Sequence, residues 1–421
     1  MLIICHSCLQ FTSFDPNENA SPLLSSIIKT HRISSNHYSE IVTDSIGNSY
    51  IASFSKKADD NDYIHIIKVD PNGKLLWIKG SGFRGRATAI SLSHQQTILV
   101  AGWADTELRL DGYSIKEDDS EKVFIAELDR SGKCLNLRTF SNDGIFNINS
   151  NGEGSILISG VCNPLRTNLS STSSNFPNCS RFIASLDENL NANWIKPFDG
   201  HVVRIKNKNN YFYLTGKFKD SLQYDSYALH TEGPMDEDGF LLKINPNGDI
   251  NWLRQFGKKG APFEYQRSNE TGGDLAFDHN KNILVSALIN SQESKKYQSL
   301  NILQYDDHGN LISDHLLLDS ITNSITTLNI DSSGDIWISG NRWSHNSTAK
   351  TKSFLMEYSP EMKLKKSTNI AHGKNTILRS SYHNSPIINY SGHFQDFITV
   401  GKDSLVNNGE HELFIYRQKV D

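Results

Sequence analysis

The stretch of sequence that decides the fold is Asp238-Gly-Phe-Leu-Leu-Lys-Ile-Asn-Pro-Asn-Gly-Asp-Ile-Asn-Trp252. Apolar and other residues alternate, the chain turns at Pro-Asn-Gly, and a second run ends in tryptophan. Proline presets its own φ at the start of a turn, and glycine supplies positive φ. An earlier copy is Asp62-Tyr-Ile-His-Ile-Ile-Lys-Val-Asp-Pro-Asn-Gly-Lys-Leu-Leu-Trp77. Each copy predicts a β-hairpin.

Weaker copies and a second, preceding hairpin extend this pattern along the chain. The weaker copies are Val123–Gly132, Phe182–Leu190 leading to Trp194, Leu300–Gly309 and Phe354–Met362. In two of them Leu190 and Met362 replace the turn glycine. The preceding hairpin tends to end in a small residue plus glycine: Ala101-Gly102, Ser159-Gly160, Thr215-Gly216, Ser339-Gly340 and Ser391-Gly392. Ala52-Ser53 and Ser286-Ala287 depart from this rule.

Together these hairpins make seven copies of a four-stranded unit, spaced by roughly 50 to 70 residues. A single unit cannot bury both faces, so the units must stack. We therefore predict an all-β, seven-bladed β-propeller over residues 25–421, with blade 4 running from His201 to Phe256. The last copy stops after its third strand, Leu413–Tyr416. An N-terminal strand, Ile27–Ile33, is expected to complete that blade and pair two exposed edges.

The repeat resembles the bacterial SBBP-type β-propeller repeats. The shared features are Asp-x-Phe-x-x-Lys, the Pro-Asn-Gly-type turn, the tryptophan and a later Val/Ile-x-Gly. Blades 2, 4 and 7 also carry the family's stretch after that glycine, as in Gly216–Tyr224. The resemblance covers about residues 25 to 420. It implies a secreted or surface-exposed bacterial protein and brings no catalytic motif with it.

Composition excludes several classes of protein. The 421 residues are 37% hydrophobic and 21% charged, with a formal net charge of −5. No block of lysine and arginine is present, so we expect no nucleic-acid partner. No segment approaches the roughly 18 consecutive apolar residues of a membrane span.

The N-terminal segment, residues 1–24, has two interpretations that both stay open. It begins Met-Leu-Ile-Ile-Cys-His-Ser-Cys, which is too short for a complete signal peptide and lacks a basic region. It is either the remnant of an export signal or a segment without a targeting role. In the first case, Cys5 or Cys8 could carry a lipid anchor.

Two further cysteines, Cys162 and Cys179, flank a polar 16-residue loop between the second and third strands of blade 3. Antiparallel neighbours could bring them together as a disulfide, and two unrelated thiols are the alternative. Such a bond would stabilise by roughly 3 kcal/mol and would indicate an oxidising compartment. Cys134 has no obvious partner and is expected to be a buried apolar residue.

Catalytic, metal and cofactor motifs are not apparent. Repeated tryptophans also occur in quinoproteins, but Trp77, Trp194 and Trp252 occupy equivalent strand positions and are better explained by blade-to-blade packing. His201, His279 and His383 lie near inner strands without metal-binding spacing. We therefore expect no cofactor, no metal site and no catalytic residue.

A long inter-blade link, Lys258–Gly273, is the most distinctive candidate binding site. It holds Phe263, Tyr265 and Arg267, residue types that are enriched as anchors of binding surfaces. An insertion without a function is the alternative. Trp103 and Trp343 follow second strands and are expected at the same rim, with Phe83 and Arg84 on another link.

The sequence thus favours a non-enzymatic binding or scaffold protein in the bacterial periplasm, on the cell surface or secreted. One face of the propeller would contact a protein or a glycan. The alternative is an extracellular lyase or hydrolase acting on a polymer in the central funnel. An enzyme should show converging acidic, basic or histidine side chains on inner strands, and a binder should show an aromatic rim.

Overall fold

The computed structural model describes residues 28–30, 39–56, 61–80, 83–104, 108–114, 122–140, 144–161, 180–233, 236–257, 270–290, 298–321, 323–343, 350–384, 387–400 and 403–419. These residues form strands and turns, and no helix occurs among them. The strands build seven antiparallel blades, which confirms the predicted fold class. The described residues include no helix with the length and apolar character of a membrane span.

Apart from the short N-terminal strand, the strands of each blade are consecutive in the sequence, and the blades follow one another in sequence order. After β1 (Ile28–Thr30), blade 1 contains β2 (Glu40–Thr43), β3 (Ser49–Lys56), β4 (Asp62–Val69) and β5 (Leu75–Lys79). Blade 2 contains β6 (Gly85–Leu92), β7 (Ile98–Ala104), the small hairpin β8 (Arg109–Leu110) and β9 (Tyr113–Ser114), then β10 (Lys122–Leu128) and β11 (Cys134–Phe140). Blade 3 contains β12 (Gly144–Ser150), β13 (Ile156–Val161), β14 (Arg181–Leu186) and β15 (Ala192–Pro197).

Blade 4 contains β16 (His201–Lys208), β17 (Tyr211–Lys219), a second small hairpin of β18 (Ser221–Tyr224) and β19 (Tyr227–His230), then β20 (Glu237–Ile244) and β21 (Ile250–Phe256). Blade 5 contains β22 (Thr271–Phe277), β23 (Ile283–Asn290), β24 (Gln298–Tyr305) and β25 (Leu311–Ile321). Blades 6 and 7 contain β26 (Asn323–Ile330), β27 (Ile336–Trp343), β28 (Lys350–Tyr358), β29 (Leu364–Asn384), β30 (Ile387–Val400) and β31 (Asp403–Lys419). Blade 4 therefore spans His201 to Phe256, as predicted.

Blades 6 and 7 are joined by a single strand. The 21-residue β29 pairs with β28 as the outer strand of blade 6 and with β30 as the inner strand of blade 7. Residues 372–374 pair on both sides at once. The two blades therefore form one seven-stranded sheet, which ends in β31 and β1.

The N-terminal strand is short in the described part of the chain. Ile28–Thr30 pairs antiparallel with β31, with Ile28 opposite Ile415 and Thr30 opposite Leu413. Completion of the last blade by the whole of Ile27–Ile33 stays a prediction. Blades 1 and 7 also meet at their inner strands, where Ser39 Oγ lies 3.2 Å from Ser391 Oγ.

The turns between third and fourth strands explain the Pro-Asn-Gly signal. In the blade 1 turn, Asp70 Oδ1 accepts hydrogen bonds from the backbone N–H groups of Asn72 and Lys74, both at 2.8 Å. Gly73 closes the turn with a φ of 82°. Leu190 and Met362 take the same place with φ of 63° and 60°, so these two turns form without the glycine. The left-handed conformation costs about 1–2 kcal/mol for a residue with a Cβ atom.

The second-strand glycines have a steric cause. The inner strands of blades 2, 3, 4, 6 and 7 each carry a register shift beside this glycine. A Cβ atom on Gly216 would overlap the carbonyl oxygen of His201, because the two backbones approach closely there. Blade 5 has Ala287 at this place, and the inner-strand residue opposite it is Gly272. In each of these six blades, one member of the close pair is therefore a glycine: the second-strand residue in blades 2, 3, 4, 6 and 7, and the inner-strand residue in blade 5.

The hydrophobic core is divided among the blade junctions. Seven clusters of buried apolar side chains lie between successive blades of the described chain, including one between blades 7 and 1. The repeat tryptophans pack at three of these junctions. Trp77, Trp194 and Trp252 each donate an indole hydrogen bond to a backbone carbonyl in the next blade's turn, at 3.4, 2.8 and 2.9 Å. This confirms their structural interpretation.

Candidate functional site

The two ends of the ring differ in what they carry. We call the end with the inter-blade links and the second-to-third strand connections the link face; it includes Phe83, Arg84 and Trp103. The opposite end, the turn face, carries the tight hairpin turns such as Asp44–Asn48 and Asp70–Lys74. Of the binding residues predicted from the sequence, Phe83, Arg84 and Trp103 lie on the link face.

Trp103 lies at the link face within a cluster of charged and aromatic side chains. It is the penultimate residue of β7, and its cross-strand partner is Arg86. The Arg86 guanidinium lies 5.4 Å from the Trp103 ring centroid and 4.8 Å from that of Phe54, within cation–π range. Its Nη2 and Nε atoms contact Asp62 Oδ2 at 2.6 and 2.7 Å. Arg86 is thus held rigidly, yet 38% of its side chain is exposed.

Phe83 and Arg84 lie on the link from blade 1 to blade 2. Phe83 is half-buried and packs against the core between these blades. Its carbonyl accepts a hydrogen bond from Ile64 N at 3.0 Å, and Arg84 forms an isolated bridge with Tyr63. This link is therefore fastened to the third strand of blade 1 and forms a firm edge beside Arg86.

Other predicted residues lie outside the described parts of the chain. These are Phe263, Tyr265 and Arg267, the cysteines Cys162 and Cys179, and Cys5 and Cys8. Trp343 is the last residue of β27 rather than a residue after it, and its strand pairs it with Thr351. The predicted link Lys258–Gly273 is shorter at its end, since β22 begins at Thr271. Cys134 is buried and free, as expected.

Acidic residues gather where the link face passes from blade 4 to blade 5. Glu270 is fully buried, and its backbone N–H donates to the carbonyl of Glu237 at 3.0 Å. Burial raises the pKa of Asp238, although hydrogen bonds from Gln255 and Glu270 oppose this shift. Glu237 forms an ion pair with Lys217 at 2.7 Å. The sequence did not predict this cluster.

A larger cavity, of about 830 Å³, opens between blades 4 and 5. Apolar side chains such as Phe256, Leu303 and Leu316 form much of its wall. Asn301 Nδ2 donates to Asp314 Oδ1 at 2.6 Å on the blade 5 side. Gly257 lines this cavity and directly precedes the predicted binding link in the sequence.

A smaller cavity, of about 310 Å³, lies in the central channel. Inner strands of blades 1 to 6 line it, and its charged side chains are Glu40, Arg204, Lys206 and Asp274. Arg204 Nη1 contacts Glu40 Oε2 at 3.0 Å, and Lys206 Nζ contacts Asp274 Oδ1 at 2.9 Å. The first ion pair joins blades 4 and 1 across the axis, and the second joins the neighbouring blades 4 and 5.

The environment of the two cations shifts their pKa values in opposite directions. Burial lowers the pKa of Lys206, although Asp274 opposes this effect. Burial also disfavours the charged form of Arg204, but the neighbouring Glu40 and Asp274 outweigh it and raise the pKa of the guanidinium. The sequence analysis did not predict a role for either cation. A break in the strand alternation could have indicated them: Val202 and Ile205 are both buried but lie three residues apart, because the strand bulges at Val203.

Neither His201 nor His279 lines the channel cavity. His201 begins β16 at the link face, and burial together with Arg181 and Lys217 lowers its pKa. His279 lies in a turn of blade 5 at the turn face, 3.3 Å from the position a Cβ atom would take on Gly334. Among the described residues, no group of three or more His, Cys, Asp or Glu side chains could hold a metal ion.

Comparisons with known proteins identify neither a family nor a function for this chain. No protein-family model matches the chain, and no curated protein matches its sequence. The SBBP-type resemblance therefore stays a prediction. Solved structures that are similar include a protein of unknown function from Bacteroides caccae, with 12% identity, a TM-score of 0.38, and coverage of 80% of this chain and 94% of that one.

Two further similar structures are propellers of different origin. BamB from Moraxella catarrhalis is 10% identical, with a TM-score of 0.38 and coverage of 93% of this chain and 97% of that one. The β-propeller domain of the trilobed protease from Pyrococcus furiosus is 10% identical, with a TM-score of 0.48 and coverage of 91% and 98%. Similarity at this level carries no argument about what this chain binds.

Proposed function

We propose that this chain is a non-enzymatic binding or scaffold protein that contacts a protein or a glycan through its link face. The supporting observation is the Arg86 guanidinium, which lies against Trp103 and Phe54 while 38% of the side chain stays exposed. Aromatic and arginine side chains held in place lose little entropy on binding, which is why they dominate binding surfaces. The Asp62 carboxylate holds the Arg86 guanidinium in place.

The channel supports a binder over an enzyme that processes a polymer. The charged side chains of the channel are paired with one another, through Arg204 with Glu40 and Lys206 with Asp274. The volume between them, about 310 Å³, is at the small end of ligand sites. A polymer chain needs an open groove with subsites on both sides of the reacting bond.

We further propose that the protein is exported to the periplasm or surface of a bacterium. The support is the resemblance of the repeat and the predicted pairing of Cys162 with Cys179. A lipid anchor on Cys5 or Cys8 belongs to the same proposal. Metabolic labelling with a fatty acid would detect it, and the separate Cys5→Ser and Cys8→Ser variants would identify the modified residue.

The binding proposal is tested with a glycan array and a pull-down, followed by affinity measurements on the partner found. Two link-face variants are compared with the wild type: Arg84→Ala with Trp103→Ala, and the triple Phe263→Ala, Tyr265→Ala, Arg267→Ala. Each should weaken binding at least about tenfold, which is roughly 1.4 kcal/mol. The matched control is Ile46→Ala on the turn face, where the side chain is 64% exposed.

Thermal unfolding separates a binding role from a structural one. Exposed loop residues typically change stability by no more than about 0.5 kcal/mol, so the triple variant should melt close to the wild type. If both link-face variants fold and bind as before, the link face is not the binding surface. If the turn-face control loses binding instead, the opposite end of the ring carries the site.

A further inference from the structure

Arg204, which lines the channel cavity, has N–H donors that form no hydrogen bond with the protein. A guanidinium has five N–H donors, and Arg204 donates one hydrogen bond within the described chain, from Nη1 to Glu40 Oε2 at 3.0 Å. Its Nε atom is buried without a hydrogen-bond partner, 3.5 Å from Asp274 Oδ1. A buried donor left unsatisfied costs about 1–3 kcal/mol.

Asp274 forms an ion pair with Arg204 Nε at 3.5 Å but no hydrogen bond to it, and its carboxylate already accepts three other hydrogen bonds. Oδ1 accepts from the backbone N–H of Leu275 and from Lys206 Nζ, both at 2.9 Å. Oδ2 accepts from the backbone N–H of Leu328 at 2.9 Å. The side chain is 4% exposed, so it belongs to the wall of the cavity. The guanidinium of Arg204 therefore keeps N–H donors that a ligand in the cavity could use.

Apolar surface also faces the cavity. Phe146 occupies the register shift of β12 and is 39% exposed, although it lies on an inner strand and lines the channel. Phe277 lines the cavity from blade 5. An apolar wall with a few fixed polar groups is the usual build of a small-molecule site. All the lining residues lie on or next to inner strands, which hold side chains more rigidly than loops.

The charges disfavour a ligand with more than one negative charge. Two carboxylates, Glu40 and Asp274, already balance Arg204 and Lys206 in the described lining. A dianion such as phosphate would meet repulsion from both carboxylates. A carboxylate fits the planar guanidinium in a bidentate arrangement, and its carbon frame can lie on the exposed ring of Phe146.

We propose that the central channel holds a small organic monocarboxylate, with its carboxylate on Arg204 and its carbon frame against Phe146. This site lies inside the ring and is separate from the link face. It would bind its ligand whether or not the link face binds a partner.

The experiment is calorimetric titration of the full chain with benzoate and D-glucuronate. Benzyl alcohol and D-glucose serve as neutral analogues of similar size, and inorganic phosphate, at a pH above its second pKa, serves as the dianion. The proposal expects saturable binding of at least one carboxylate at millimolar concentration. Its neutral analogue and phosphate should bind at least about tenfold more weakly. The proposal is overturned if neither carboxylate binds, or if the neutral analogues bind equally well.

Three variants locate the site. Arg204→Lys keeps a cation beside Glu40 but loses the planar fork, so carboxylate binding should fall at least about tenfold. Arg138→Lys makes the same change on an exposed outer strand and should bind as the wild type does. If Arg204→Lys does not fold, Phe146→Leu takes its place, because that side chain is partly exposed. Unchanged carboxylate affinity in the folded channel variant would exclude this site.

Discussion

The indole Nε1 of Trp252 in blade 4 donates a hydrogen bond to the backbone carbonyl oxygen of Asp307 in blade 5, at 2.9 Å. The ring lies against Gly309 of the same turn, where an added Cβ atom would come within 2.7 Å of it. Lys243 reaches that turn as well, with Nζ 2.6 Å from Asp307 Oδ1. The lysine, the tryptophan and the turn glycine of the repeat thus act together at one junction.

Replacing Trp252 by phenylalanine should therefore lower the free energy of unfolding by about 2 kcal/mol. Both the hydrogen bond and part of the packed ring would be lost. Trp77→Phe is the matched control, because that side chain is more exposed and its hydrogen bond is longer, at 3.4 Å. Its loss should be about 1 kcal/mol or less. Denaturant unfolding measures both, and equal losses would refute the role given to the Asp307 contact.

A series of three glycine-to-alanine variants separates backbone strain from steric overlap. Gly152 has nothing within 4 Å of an added Cβ atom and no positive φ, so Gly152→Ala should be neutral or slightly stabilising. Gly112 has equal space but a φ of 94°, so Gly112→Ala should cost about 1 kcal/mol. Gly309→Ala adds overlap with Trp252 to a φ of 77° and should cost at least about 2 kcal/mol.

Chemical denaturation of all three variants under one set of conditions measures this order. A Gly309→Ala variant no less stable than Gly112→Ala would mean that the Trp252 ring moves aside freely. The tryptophan would then contribute little to the junction between blades 4 and 5.

His201 should make stability depend on pH in the mildly acidic range. Burial, Arg181 and Lys217 lower its pKa below the usual 6.5, while Glu237 opposes them. The unfolded chain therefore binds the proton more readily, and this contribution to stability declines as the pH falls below about 6.5. As the pH is lowered across this range, the free energy of unfolding should fall less steeply for His201→Asn than for the wild type. Parallel curves would show that His201 does not titrate between the two states.

Cys162 and Cys179 are predicted to form a disulfide in protein recovered from an oxidising compartment. Peptide mass spectrometry without reduction should find the two cysteines in one linked pair. The Cys162→Ser variant should lose roughly 3 kcal/mol of stability, because the closed loop restricts the unfolded chain. Cys134→Ser is not a suitable control, because Cys134 is buried in the core between blades 1 and 2 and its replacement would itself change stability. Two free thiols in exported protein would remove the cysteine argument for an oxidising location.

The fold could be predicted from sequence because its signals are local and repeated. A turn such as Asp70–Lys74 combines proline, an Asx acceptor and glycine within five residues, and all three are visible in the sequence. Leu190 shows the limit of that signal: the turn forms without glycine, since the neighbouring strands and the Asp187 carboxylate hold it in place.

The channel could not be predicted in the same way. Arg204 and Glu40 are 164 residues apart and meet only because the ring closes. Register shifts on the inner strands decide which side chains point to the axis. In the sequence, the shift in blade 4 is visible only as a break in the apolar alternation between Val202 and Ile205. Arg86 and Asp62 were missed for a related reason, since their contact depends on two blades being stacked.

The continuous strand β29 has a consequence for how the ring can be cut and rejoined. New chain ends are tolerated where the backbone is exposed and unpaired. Between blades 6 and 7 the backbone of residues 372–374 is hydrogen-bonded on both sides. A circular permutant opened there would split a paired strand, whereas one opened at the seam between blades 7 and 1 would leave every four-stranded unit uninterrupted. Engineered versions of this ring, including split halves for complementation assays, should therefore keep blades 6 and 7 in one fragment.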